Sequence, residues 1–487
     1  MGHKILIGKY TLESLTNGLY LSPKDLYREY IQNAADSIDQ AVRLNILKSN
    51  EGIIEVNLDL ENRNLSIVDN GCGVNHSLAP STLTNIGNSQ KTNSNNRGFR
   101  GIGRLSGLGY CDKIVFSTSA VGESTCTRVT FNARLLNKLL LQNKSETVEE
   151  VIEKIVSISA ETEKENSHYF RVELYNLDNI DDLLNPNEVK NYLIQNAPLP
   201  FDANFIWGDM ISKKMKLCGI DIPTYQVIMT VDGNRQQLVK AYTNTIISDR
   251  VKKSEDQIKD IKTEIFYDND ENVVAIMWYA ITSFNGTIIN DVIKGIRIRQ
   301  GNILIGDKGT MNRHFNEERF NGWLIGEMHI IDARLLPNSR RDDFEKNDLY
   351  NLLSKQLHGW ALNLSKEIRR LSYKRSLSEK RYELIDNVIQ EDENSLCIED
   401  ISFLGEIDEV SLMDQDESFD IAHQDYSERL SLLIHSKSSI TKYTALNINK
   451  RLTVEQKKTI AKIFDIIISK YDKRRSETFI DAIIDNF

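Results

Sequence analysis

The chain has 487 residues, 60 Lys and Arg against 70 Asp and Glu, and a net charge of −10. At roughly 100–200 residues per domain, this length calls for about three domains, and 40% hydrophobic with 27% charged residues is ordinary soluble composition. These figures exclude a wholly basic nucleic-acid binder, and no ~20-residue apolar stretch or signal-peptide h-region is present. Five scattered cysteines (Cys72, Cys111, Cys126, Cys218, Cys397) suggest neither a disulfide framework nor a zinc site, so a cytoplasmic, reducing setting is expected.

In chain order, Met1 to Tyr10 is a short apolar segment suited to strand exchange. Ser22-Pro23-Lys24-Asp25 then reads as a helix start, with Ser as N-cap and Pro at the first helical position. Tyr27, Tyr30, Ile31, Ala34, Ala35, Ile38, Ala41 and Val42 recur at helical spacing. Beside them run Glu29, Asn33, Asp36 and Gln40, stacked on one side of the helix. Asn offers an uncharged oxygen to Mg²⁺. Glu one turn earlier can deprotonate a water that attacks phosphorus.

Ile54, Val56, Leu58 and Leu60 alternate with polar residues as in a half-buried strand, 61–64 turns the chain, and Leu65, Ile67 and Asp69 share a face of the next strand. Asp69 therefore points among apolar neighbours and needs a partner. Asp69-Asn70-Gly71-Cys72-Gly73 follows, and then Gly98-Phe99-Arg100-Gly101-Ile102-Gly103. Eight of the 25 glycines fall between Gly71 and Gly109, where the backbone must turn sharply or approach a ligand. Gly-x-x-Gly-x-Gly before a helical turn can offer N–H groups to phosphate. It has no Gly-Lys-Ser/Thr and no βαβ setting, so it is neither a Walker loop nor a Rossmann fingerprint.

Glu29-x-x-x-Asn33, Asp69-x-Gly71-x-Gly73 and Gly98-x-x-Gly101-x-Gly103, in this order, resemble the three sequence boxes of the GHKL ATPases. That superfamily comprises gyrase B, heat-shock-protein-90 chaperones, histidine kinases and MutL, with the MORC proteins as relatives. The resemblance implies an α+β protein: a Bergerat-type α/β sandwich ATPase domain, an α/β middle (transducer) domain and a mainly helical C-terminal region. It implies ATP and Mg²⁺ as ligands, with Glu29 as general base, Asn33 on the metal and Asp69 on the adenine amino group. Gly71 and Gly73 would lie by the base, Asp36 on the ribose side, and Gly98, Phe99, Arg100, Gly101, Ile102 and Gly103 at the phosphates. A lid lysine of the chaperones falls on Asn88 here, with Lys91 three residues on as its substitute. The family's Thr before the last sheet strand has no counterpart in Tyr169 to Leu174.

Further on, Tyr225 to Val231, Val273 to Thr282, Gly295 to Ile305 and Trp323 to Ile331 read as strands amid helices. Pro337-Asn338-Ser339-Arg340-Arg341 resembles the chaperone middle-domain loop that delivers an arginine to the terminal phosphate. Arg340 is the matching position, Arg341 its neighbour, and Lys308 the alternative used by gyrase and MutL relatives. The carboxy-terminal part shows helical spacing from Leu349 to Ile368 and a basic run from Lys366 to Arg381. From Glu391 to Asp420 there are twelve acidic residues and no Lys or Arg, which leaves +2 on the rest of the chain. This segment reads as a solvated linker or, through its threaded apolar residues, as a docking element.

The resulting division is 1–200 for the ATP-binding domain, 201–346 for the middle domain, 347–390 for a helical connector, 391–420 for the acidic segment and 421–487 for a helical end. With only 28 residues before Glu29, the phospho-accepting hairpin of histidine kinases does not fit. The leading expectation is a heat-shock-protein-90-like ATPase that acts on a protein client and dimerises through its first residues when ATP is bound. The alternative is a MORC- or MutL-like, DNA-associated ATPase, as in bacterial anti-phage defence. A non-hydrolysing scaffold is disfavoured by the intact Glu29.

Overall fold

The computed structural model describes residues 7–16, 22–86, 103–178, 180–249, 253–390, 463, 466–467, 470–471 and 473–484. The acidic segment 391–420 lies outside them. The chain divides into two compact units, Met1–Ile368 and Arg369–Phe487. Among the described residues, no helix is long and apolar enough to cross a membrane.

The fold is α+β. Strands β1 (Ile53–Asp59) and β2 (Asn64–Asp69) form a hairpin in which Ile54, Val56, Leu58, Leu65, Ile67 and Asp69 all turn to one buried face. Period-2 alternation dictates this, because a one-residue slip would put every apolar side chain in water. β3 (Lys113–Ser119), β4 (Thr125–Asn132), β5 (Val156–Thr162) and β6 (Tyr169–Tyr175) extend the antiparallel sheet in the order β5-β4-β3-β6-β2-β1. β7 (Gln226–Val231) then pairs parallel to β1, and β8 (Asn234–Leu238) completes eight strands. The second sequence region thus contributes two strands to the first sheet.

The helices of this layer are α1 (Tyr10–Thr16), α2 (Asp25–Arg43), α3 (Ala79–Thr84), α4 (Ala133–Leu141), α5 (Val148–Ile155), α6 (Ile180–Leu183) and α7 (Pro186–Asn196). The apolar stripe of α2 (Tyr27, Ile31, Ala34, Ile38) shares one core with Ile54, Val56, Ile67 and Leu174 of the sheet. Ser22 Oγ accepts the Lys24 N–H at 3.3 Å and Asp25 Oδ2 accepts the Ser22 N–H at 3.3 Å, so the helix opens at Asp25 from a closed turn.

After α8 (Gly208–Leu217), β9 (Thr245–Asp249), β10 (Lys253–Gln257) and β13 (Thr287–Ile288) make a small sheet. β11 (Asp260–Tyr267), β12 (Val273–Ile281), β14 (Gly295–Gln300), β15 (Ile303–Ile305) and β16 (Ile325–Ile330) make a five-stranded mixed one. The run 295–305 is broken into two strands by a turn at Gly301 and Asn302, both with positive φ. Glu327 is fully buried here and accepts from Lys240 Nζ at 2.5 Å, Arg299 Nε at 2.6 Å and Tyr242 OH at 3.1 Å. Burial opposes its charge, yet Arg299 and Lys240 hold it well below the usual carboxylate range. Arg299 Nη2 also reaches the Gln195 carbonyl on α7 at 3.0 Å, tying this sheet to the first layer.

α9 (Asp348–Gln390) buries Leu353, Leu357, Ala361, Leu364 and Ile368, and Trp360 packs edge-on against Tyr279 and Phe315. In the second unit, α10 (Lys473–Ile484) buries Ile480.

His314, beneath α9, is pushed down to about 4 by burial and then by the adjacent Arg313 charge. Between its ordinary value of 6.5 and 4, the unfolded chain binds a proton that the folded chain refuses. Stability is therefore expected to fall as pH drops through this window. Denaturant titrations at pH 7 and 4.5 should show a shallower loss in His314→Gln than in the parent, and equal losses would refute the assignment.

Candidate active site

Two tyrosines fix the placement of α2. Tyr30 OH donates to the Arg104 carbonyl and accepts from the Gly107 N–H, both at 3.2 Å, and Tyr27 OH donates to the Leu183 carbonyl at 2.5 Å. Asp25 accepts from Tyr192 OH at 3.0 Å, which fastens the first turn to α7. The polar stripe then runs along the edge of this anchored helix, with Asp36 buried and Glu29 and Asn33 partly exposed.

Across the sheet, one register row carries Ile54, Asp69, Phe170, Thr118 and Thr127. Asp69 is 3% exposed, and its Oδ1 accepts the Gly71 N–H at 2.9 Å. A Cβ on Gly71 would overlap Ser37 Oγ of α2. Gly73 has a φ of +64°, and a Cβ there would overlap the Ser119 carbonyl oxygen. Both glycines thus let the turn lie flat between helix and sheet. Thr118 Oγ1 accepts from the Val74 N–H at 2.8 Å and donates to the Tyr169 carbonyl at 3.1 Å. His168 Nδ1 lies 2.8 Å from the Gly71 carbonyl. Phe170 stands directly opposite Asp69, at the point in the last strand where sequence reading found no Thr.

Gly103 opens a 3₁₀ turn, Gly103–Gly109, and a Cβ on it would overlap Oε2 of Glu29. The described end of the glycine loop therefore rests on that carboxylate. Asn88, Lys91, Gly98, Phe99, Arg100, Gly101 and Ile102 lie outside the described residues.

The other oxygen of Glu29 is met from far along the chain. Arg341 Nε lies 3.2 Å from Glu29 Oε1, and both side chains are close to 90% buried. Arg340 is exposed; its carbonyl accepts from Arg28 Nη2 at 3.0 Å. Two consecutive residues of α2 thus grip two consecutive residues of the 336–345 loop. Lys308 forms an ion pair with Asp291 at 2.5 Å. Its own turn backs the arginine loop, since the Gly306 N–H donates to the Arg341 carbonyl at 2.8 Å. Sequence reading missed Arg28 and Phe170. The signal for Arg28 was its position beside Glu29; Phe170 emerges only from strand register.

Met1 to Leu6 of the proposed exchange strand lie outside the described residues. Gly8 bridges Thr147 of the same chain, and Lys9 Nζ donates to the Leu139 and Gln142 carbonyls at the end of α4, both at 2.5 Å.

Chemically, the set combines a buried acceptor-only carboxylate, a neutral amide oxygen, and a carboxylate facing an arginine. It fits a magnesium nucleotide: Asn33 can serve a hard cation, Asp69 an amino donor, and Arg341 a phosphate.

No family model matches the chain. It has distant, partial similarity to chaperones of the HtpG type, consistent with a region related to heat-shock-protein-90 and the GHKL ATPases. The chaperone protein HtpG of Enterobacter sp. (strain 638) is 30% identical over 135 residues, 24% of this chain and 22% of the relative. That of Aliarcobacter butzleri (strain RM4018) is 28% identical over 132 residues, 23% of this chain and 21% of the relative. The matches thus span about a fifth of these curated relatives.

Proposed function

We propose that the chain is a Mg²⁺-dependent ATPase of heat-shock-protein-90-like type, with ATP held between α2 and the eight-stranded sheet in a Bergerat-type arrangement. The observation that carries this reading is the meeting of Glu29, Gly103 and Arg341 at one point, from three distant parts of the sequence. Asp69 accepts a hydrogen bond from the adenine amino group, and Asn33 ligates the metal. Bound Mg²⁺ supplies neutralisation of phosphate charge. Glu29 takes the proton of the attacking water. Arg341, the nearer of the two arginines, leaves Glu29 for the terminal phosphate oxygens, where its fixed charge and forked donors stabilise developing charge.

In this reading the Glu29–Arg341 pair couples nucleotide state to the loop 336–345 and the sheet behind it, and that motion does work on a protein client. Arg341→Ala is expected to lower kcat for ATP about 10²–10³-fold, the usual cost of one transition-state donor. Turnover at the parental rate in a steady-state phosphate-release assay would remove Arg341 from the mechanism.

A further inference from the structure

Arg341 has a φ of +57°, a left-handed conformation that residues with a Cβ rarely adopt. The surrounding contacts impose it. The Arg341 N–H donates to the Asn338 carbonyl at 3.1 Å, and the Arg341 carbonyl accepts the Gly306 N–H at 2.8 Å. Gly306 has a φ of +72°, and a Cβ on it would overlap Thr310 Oγ1 and approach the Asp342 carbonyl oxygen to 2.8 Å. The far side of the loop is fastened too. Arg313 makes a fork to Asp343, Nη1 to Oδ2 at 2.6 Å and Nη2 to Oδ1 at 2.8 Å, and Tyr350 OH reaches Oδ2 at 3.4 Å. The Asn338 N–H donates to the Asp343 carbonyl at 2.8 Å, closing the loop on itself.

We propose that the turn at Gly306 and the Arg313–Asp343 fork are positioning elements that aim Arg341 into the active site. With its N–H and C=O both engaged, Arg341 has its Cα–Cβ direction set by its neighbours, so its guanidinium is delivered with little searching. Geometry held in advance contributes to rate rather than to ground-state affinity, and small misplacements cost turnover. Neither Gly306 nor Asp343 needs to touch the nucleotide. The inference rests on the role assigned to Arg341 above.

The test uses the full chain and steady-state ATP hydrolysis. Gly306→Ala and Asp343→Asn are each expected to lower kcat about tenfold while KM stays within about twofold. In an Arg341→Ala background the same changes should produce no further loss, because a positioning residue acts only through the group it places. Asp343→Asn keeps the side-chain volume and one acceptor, so it decides the matter if Gly306→Ala is insoluble. An unchanged kcat, or an equal loss in both backgrounds, would overturn the proposal. An unchanged rate in Arg341→Ala alone would instead overturn the assignment of Arg341 itself, which is read independently of the positioning variants.

Discussion

Glu29→Ala is expected to bind ATP within about threefold of the parent while hydrolysis falls about 10²–10⁴-fold, the range for loss of a positioned general base. Glu29 meets Gly103, whereas the turn after Asp69 meets Ser37, about two turns further along α2, so the substitution is expected to take away chemistry and leave the proposed base contact standing. One confounding effect has to be separated. Alanine also removes the Glu29 carboxylate from Arg341, which is 11% exposed. Glu29→Gln answers this, because its amide oxygen can still accept from Arg341 but is not basic. Equal loss of turnover in both variants, with better thermal stability in Glu29→Gln, assigns the effect to proton transfer. Hydrolysis at the parental rate in either variant would refute the general-base role.

The second large effect is expected at the other end of the site. Asp69→Asn should weaken ATP binding by at least about 30-fold, equivalent to ~2 kcal/mol for a buried polar group facing the wrong partner. Asn can keep its oxygen toward the Gly71 N–H, which Asp69 Oδ1 now accepts at 2.9 Å. The turn therefore survives, and the amide NH₂ is turned toward an incoming amino group, donor against donor. Calorimetric titration with ATP checks this, and affinity within threefold of the parent would show that Asp69 does not read the base.

The placement of these candidate residues on helix and strand could be read from sequence because its signals are local and periodic. Glu29, Asn33 and Asp36 stack because helical spacing places them so, and Asp69 falls on the buried face because Leu65 and Ile67 do. What could not be read is non-local. No residue near Ile53 or Gln226 announces that β1 and β7 will pair. Sequence resemblance pointed to Arg340, whereas the residue that faces Glu29 is Arg341, whose backbone is left-handed. Lys240, Arg299 and Glu327 are far apart in the sequence, and only tertiary packing makes them one buried network. The hairpin turn at Gly301 and Asn302 was legible in principle, since Gly-Asn between apolar runs is a turn signal, but the apolar run masked it.

The parallel pairing of β7 with β1 bears on the order in which the protein can be made and dissected. On the ribosome, the outer edge of β1 waits uncovered until the chain has been extended past Val231, long after the residues on its other side have their partners. Such an edge is a template for pairing with another chain. A fragment cut at residue 200, the border expected from the sequence, would carry that open edge permanently and is expected to aggregate, whereas one ending beyond β8 would not. The border that matters to a nascent chain is set by which strand closes the sheet, and here that strand arrives late.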